Sequence, residues 1–340
     1  MKIKPEVKKI SLLLAVIPIM LSGISGCKKT KQAAAEVSGN KYTNRIIMVS
    51  DMHYTTSQSA GEYNAAHPGA NASVAAGDAF GYTQEEKIQA ISDDIAAHKA
   101  RENIDAVFVL GDLSLDDFGY RNLAENYLEG FKSIFLDKLE QPWYAIAGNH
   151  DSYTNDEWKA IIGRDRQYSI KIGGAAFIML DTFAAEHAES ASGSAYTGID
   201  MDFLEKEIKK YPTEPIFLCS HYYKPSASDY AFTKLLRNNK RIVCMFRGHT
   251  HTNVTLAPEE MNYKCLCDIG GYAYVGDSNL DFSQFDDDWA WGYEVLEWND
   301  KEAHIYHVKK PRKYTASNGV FNFVGAIQDD LTFTFDKGTK

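Results

Sequence analysis

Five short apolar runs punctuate this chain: Arg45 to Ser50, Ala106 to Leu110, Trp143 to Ala147, Ile216 to Cys219 and Arg241 to Phe246. Each breaks off at a polar motif, usually one led by glycine. Apolar runs this short, bounded by turn residues, suit buried strands. Helical signals lie between them. Thr83-Gln-Glu-Glu86 is a capping box, and Ile88, Ile91 and Ile95 give the helix it opens an apolar face, to about Arg101. Leu123, Tyr127, Phe131, Ile134 and Phe135 mark a second helix, and Phe203, Leu204 and Ile208 a short third. Alternating strands and helices predict an α/β fold. In open α/β sheets, ligands bind beyond the carboxyl ends of the strands, so the five polar motifs are expected to meet on one rim.

The rest of the chain fits a single large domain or two modest ones. Tyr168 to Ile172 and Ala175 to Leu180 flank Gly173-Gly174 and read as a β-hairpin. Tyr263 to Ile269, Gly292 to Trp298, His304 to Val308 and Leu331 to Phe335 alternate as strands do. Hydrophobic residues make up 44% of the chain, enough for a sizeable core. No internal repeat is present. Residues 55 to 82 are rich in Ala, Gly, Ser and Asn, without periodicity. They read either as a surface loop or as a loop over the site.

The motifs after the runs are Asp51-Met-His53, Gly111-Asp112, Gly148-Asn149-His150-Asp151, His221 and Gly248-His249-Thr-His251. They hold five of the ten histidines. Carboxylate and amide oxygens suit hard divalent ions, and imidazole suits borderline ones. Asp51 and Asp112 supply the anionic charge that a cation among neutral histidines requires. Asn149 alone is a weak ligand and makes sense only inside a preformed cluster. Alternation after a strand puts His249 and His251 on one face. The glycines before Asp112, Asn149 and His249 are expected to serve tight turns. Any one motif has an ordinary structural reading. All five in order, each at a strand end, do not.

This ordered set resembles the calcineurin-like metallophosphoesterase family over roughly residues 45 to 300. The resemblance implies a four-layer α/β/β/α sandwich with two facing mixed sheets. It also implies two divalent metal ions, of iron, manganese or zinc. On that resemblance Asp51, His53 and His251 hold the first ion and Asp112 bridges both. Asn149, His221 and His249 then hold the second. A hydroxide shared by the ions would attack a small phosphate ester, either a mono- or a diester. His150, left over as a non-ligand, would protonate the leaving oxygen or stabilise its charge. Protein phosphatases of the superfamily continue the second motif as Gly-Asp-x-x-Asp-Arg-Gly. Here it reads Gly111-Asp-Leu-Ser-Leu115-Asp-Asp. That departure and Asp151 fit the phosphodiesterase-type branch better. Asp116, Asp117 and Asp151 remain as candidates to orient His150.

Other chemistries lack their signatures. There is no P-loop, Gly-x-Ser-x-Gly or His-Glu-x-x-His, and no cysteine stands six places before an arginine. A non-catalytic ligand-binding relative would have lost some of the ligands, and this chain keeps the set. A nuclease is disfavoured by charge, as is nucleic-acid binding in general. Residues 1 to 26 carry a net +3 against −10 for the whole chain, which leaves the remainder at −13. Of the other histidines, His98 and His187 read as surface positions, His304 and His307 as strand residues, and His67 as part of the 55 to 82 loop.

The N-terminus reads as a processing segment. Lys2, Lys4, Lys8 and Lys9 precede an apolar stretch from Ile10 to Leu21, too short for a comfortable span. Ile24-Ser25-Gly26-Cys27 resembles a bacterial lipobox, which implies a lipidated Cys27 and a membrane-anchored, extracytoplasmic protein. An ordinary signal peptide and an uncleaved anchor are the alternatives. Cys27→Ser separates them: it should move the protein from the membrane to the soluble fraction, and an unchanged membrane fraction would refute lipid anchoring. The expected division is 1–26 signal, 27–43 tether, 44–300 phosphoesterase domain, and 301–340 strands completing it. Cys219 and Cys244 lie in apolar runs and read as core residues. Cys265 and Cys267 sit too close along one strand face for an unstrained bridge, so no disulfide is predicted. No protein partner is inferable.

Overall fold

A computed structural model describes residues 41–55, 84–100, 102–115, 126–188, 193–223, 230–250, 254–256, 265–269, 292–309 and 330–335. The signal, Cys27, most of the tether, nearly all of the 55 to 82 loop, Thr83, Asp116, Asp117, Leu123 and His251 lie outside the described residues.

Two six-stranded sheets organise the described residues. The first contains β1 (Asn44–Val49), β2 (Ala106–Leu110), β3 (Trp143–Ile146), β10 (Gly292–Trp298), β11 (Glu302–Lys309) and β12 (Asp330–Thr334), in the order β12-β11-β10-β1-β2-β3. Strands β1, β2 and β3 run parallel, and β10, β11 and β12 add antiparallel strands on the other side of β1. The second contains β4 (Tyr168–Ile172), β5 (Ala175–Leu180), β6 (Ile216–Ser220), β7 (Ile242–Arg247), β8 (Val254–Leu256) and β9 (Cys265–Asp268), in the order β4-β5-β6-β7-β9-β8. Strands β5, β6, β7 and β9 are parallel.

Strand periodicity builds the layers. Successive side chains point to opposite faces, so one strand feeds two cores. Ile46, Met48, Phe108 and Leu110 point inward to meet Phe177, Met179, Phe217 and Phe246 of the second sheet. Ile47, Val49, Val107 and Val109 point outward onto α1 (Gln84–Lys99), α2 (Tyr127–Ile134) and α3 (Asn155–Ile162). On the far side Ala176, Ile178, Leu180 and Leu218 pack on α4 (Met201–Lys210) and α5 (Tyr230–Asn238). The result is the α/β/β/α sandwich that the resemblance implied. Cys219, Cys244 and Cys267 are buried free thiols.

Several elements depart from the sequence reading. The first helix ends at Lys99 rather than near Arg101, and the helices α3 and α5 were not anticipated. Helix α3 has a clear cause: Thr154 accepts from the Glu157 N–H while Glu157 accepts from the Thr154 N–H, and Gly163 ends the helix in a left-handed conformation. Thr43 donates its N–H to Trp298 O and Lys41 pairs with Glu302, so residues 41 to 43 join the packed unit although the sequence placed them in the tether. His98 is buried, not on the surface, and its ring bonds the Tyr293 hydroxyl (3.1 Å) and Glu102 (3.1 Å). His187 is exposed. His304 and His307 lie on β11 against Glu297 and Glu294.

Candidate metal centre

Because β1, β2 and β3 are parallel, their carboxyl ends lie at one edge of the first sheet. Those of β5, β6 and β7 lie at one edge of the second. The turns leaving β1, β2 and β3 carry Asp51 and His53, Asp112, and Asn149 and His150. The turns leaving β6 and β7 carry His221 and His249. Two clusters result, and Asp112 belongs to both. Donor atoms of His53, Asp112 and His150 lie within 4.8 Å of one another, as do those of Asp112, His221 and His249. Asp51 Oδ1 lies 3.7 Å from His53 Nε2, and Asp112 Oδ2 lies 3.4 Å from that same nitrogen. Asn149 Oδ1 faces His221 Nε2 at 3.2 Å and His249 Nδ1 at 2.9 Å. Six of the seven expected ligands therefore converge. His251 lies outside the described residues. Expected as a non-ligand, His150 has a ring nitrogen as close to the first cluster as the ligands themselves.

Main-chain bonds hold the turns together. Asp51 N–H donates to Gly111 O (3.1 Å), His53 N–H to Asp112 O (2.9 Å) and Gly248 N–H to His221 O (3.0 Å). The two sheets are tied at the rim, where His249 N–H donates to Asp51 Oδ2 (3.0 Å). Asp51, His53, Asp112 and His249 all have φ between 45° and 69°. They are the non-glycine residues in that region among the described residues. Left-handed backbone outside glycine costs on the order of 1 kcal/mol or more per residue and persists where surroundings over-determine it.

The glycines act differently from expectation. Gly111 does take φ +88°. Gly148 and Gly248 matter because there is no room for a side chain. A Cβ on Gly148 would lie 2.8 Å from Asp112 Cγ and closer still to its Oδ1, and one on Gly248 would lie 2.7 Å from Asp51 Oδ2. Gly148→Ala should therefore displace Asp112. A loss of ~1–3 kcal/mol is expected from overpacking, together with weaker metal binding. Unchanged thermal stability and metal content in that variant would show that the turn yields instead.

The polar groups are matched for cations. His221 donates its Nδ1–H to Leu110 O (2.7 Å), which fixes the tautomer and aims Nε2 at Asn149 and at Asp112 Oδ2 (3.1 Å). Burial pulls the His221 pKa down, but the Asp112 charge and hydrogen bond overcome it and carry it up to about 9. Burial likewise pushes the Asp112 carboxyl up. The His221 and His150 charges, with hydrogen bonds from His221 and His53, outweigh it and hold Asp112 well below the usual carboxylate range. Without metal, a proton on His221 reconciles nitrogen with oxygen. A divalent ion fits the same set of one shared carboxylate, one amide oxygen and two imidazoles. The donor set thus accommodates metal at the second cluster, and carboxylates with imidazole at the first.

Sequence reasoning missed the aromatic surround. The Phe183 ring lies 5.6 Å from His221 and 6.0 Å from His249, and Tyr222 lies 4.4 Å from His249. No periodicity marks either residue. The sequence offers Asp151 as one of three candidates to orient His150. The structure shows Asp151 fully buried, accepting main-chain N–H groups of Leu113, Ser114 and Gly148. Burial, then the Asp112 charge, push its pKa up to about 6 against those donors.

Comparison with solved structures supports the fold. A dimetal phosphatase from Danio rerio superposes with a TM-score of 0.55 at 13% identity, covering 87% of this chain and 100% of that one. GAP50, the anchor in the inner membrane complex of Plasmodium, gives 0.42 at 13% identity over 88% and 90% of the two chains. A phosphatase from Mycoplasma pneumoniae gives 0.37 at 10% identity over 86% and 94%. The last two scores are too low to speak for a common fold. No curated protein sequence matches the chain. A profile of calcineurin-like phosphoesterases matches residues 44–253, the stretch that runs from β1 through the turns bearing the clustered donors. The chain is therefore a member of the calcineurin-like phosphoesterase family, hydrolases that cleave phosphoric esters with the help of metal ions.

Proposed function

We propose that this protein hydrolyses a small phosphate ester at a two-metal centre, with Asp112 as the shared ligand. The observation that carries this reading is the membership of the Asp112 carboxylate in both donor clusters. In this reading Asp51, His53 and His251 complete the first site, and Asn149, His221 and His249 the second. When bound, a pair of divalent ions supplies Lewis-acid charge and acidifies a water to near neutrality.

The chain's own residues do the rest. The Leu110 carbonyl holds His221 in the tautomer whose Nε2 faces the second site. Asp51 is held by the His249 N–H, so the two sheets cannot slide apart at the rim without breaking that bond. His150 is half-buried while Asp51, Asp112 and His221 are fully buried. A solvent-facing edge suits a residue that meets substrate. His150 in its protonated form donates to the ester oxygen as the bond to phosphorus breaks. Phe183 and Tyr222 pack their rings beside His221 and His249 at the second site. We also propose that the protein works outside the cytoplasm, held at a membrane through Cys27.

The test is a panel of phosphomonoesters and phosphodiesters, run with protein reconstituted in turn with manganese, iron and zinc. About two ions per chain are expected, in keeping with a two-metal site. Turnover should vanish on chelation and return with metal. Full turnover by protein stripped of metal would overturn the reading.

A further inference from the structure

The turns after β1 and β2 are tied by main-chain hydrogen bonds, including Tyr54 N–H to Leu113 O (3.0 Å) and Leu115 N–H to Tyr54 O (3.0 Å). The tie from the β2 turn to the β3 turn is built from side chains. Asp151 Oδ1 accepts from the Ser114 N–H (3.0 Å) and the Ser114 hydroxyl (3.2 Å). Its Oδ2 accepts from the Leu113 N–H (3.2 Å) and the Gly148 N–H (2.8 Å). Leu113 directly follows Asp112, and Gly148 directly precedes Asn149. One carboxylate oxygen thus grips the chain next to the shared ligand and next to a ligand of the second site. A second link, His150 N–H to Asp112 Oδ1 (2.9 Å), spans the same gap. Asp151 itself is fully buried and contributes no atom to either donor cluster.

We infer that Asp151 is a positioning residue that sets the spacing between Asp112 and Asn149, and so decides whether a second ion binds beside the first. This rests on the two-metal reading above. A carboxylate is required because four donors, two per oxygen, converge on it. An asparagine can satisfy only one side. Its best orientation keeps the oxygen on Leu113 and Gly148 and sets the amide NH2 against the Ser114 N–H. An alanine releases all four donors and leaves the two turns without this link.

The experiment titrates metal-free protein with Mn²⁺, following stoichiometry by calorimetry and the pairing of ions by electron paramagnetic resonance. Wild type should take up two ions and show the spectrum of an exchange-coupled pair. Asp151→Asn should bind the first ion nearly normally and the second about 10–100-fold more weakly, the usual cost of removing a supporting group behind metal ligands. Its coupled spectrum should appear only at high Mn²⁺. Asp151→Ala should lose the coupled spectrum altogether. Second-ion affinity and coupling like wild type in Asp151→Asn would overturn the inference, even if its metal-free melting temperature fell. An Asp151→Asn chain that does not fold without metal would also overturn it, because the residue would then serve the domain rather than the spacing. Wild type that binds one ion, or none, would instead sink the two-metal reading.

Discussion

Asp112→Ala should cost the protein both of its metal ions and nearly all of its turnover. The carboxylate is the one group common to the two donor clusters, so neither site is complete without it. It also accepts the His150 N–H and faces the rings of His53 and His221, so its removal leaves those groups without their anion. Metal ions contribute several kcal/mol to stabilising the transition state, and each ~1.4 kcal/mol is a factor of ten in rate. A fall of ~10³-fold or more is expected. Elemental analysis and steady-state rates on the same preparation, with circular dichroism to confirm the fold, make the test. A folded variant that keeps two ions per chain would show that Asp112 is not the shared ligand.

His150→Ala should behave in the opposite way, keeping its metals and losing rate. General acid catalysis contributes ~10²–10⁴-fold. The loss should follow the leaving group. An alkyl alkoxide needs a proton as it departs, whereas a nitrophenolate leaves without one, so alkyl esters should suffer most. Because the His150 ring lies within reach of His53 and Asp112, the metal content of the variant decides its role. Loss of the first ion would make His150 a ligand. Full retention of metal and of rate on both esters would leave it without a catalytic part. Asn149→Ala, measured alongside, should lose second-site metal and fail on both esters.

The convergence of these donors was legible in the sequence because they sit at strand ends, where apolar runs announce themselves. β2 falls on the predicted residues, and β1 within one, because these buried strands are continuous apolar runs, while β10 falls on its residues through alternation. The four layers came from the family resemblance, and period-two alternation explains how single strands feed two of them. Other features depend on contacts that no single segment records. Helix α5 has its apolar residues, Phe232 and Leu236, spaced among polar ones, and its burial comes from the second sheet. His98 looks exposed on a polar helix until Tyr293, from a strand almost two hundred residues later, covers it. Helix α3 carries its own local signal, the Thr154-x-x-Glu157 capping box. The hydrogen bonds of Asp151 were out of reach, because all but the Gly148 N–H come from another turn and most are backbone. Nor does any sequence rule assign positive φ to Asp51, His53, Asp112 and His249.

The rim bond between His249 and Asp51 has a consequence for how the protein matures. The second cluster draws Asp112 and Asn149 from one sheet and His221 and His249 from the other, so uptake of an ion there would follow closure of the sandwich rather than guide it. Such an ion would act as a latch. An ion that binds there only in the closed chain would favour it, by mass action, by about 2.7 kcal/mol when free metal stands at a hundred times the dissociation constant. A chain that closes where metal is scarce would be complete in shape yet still unlatched, so metal supply would set how long it lasts as well as how fast it works.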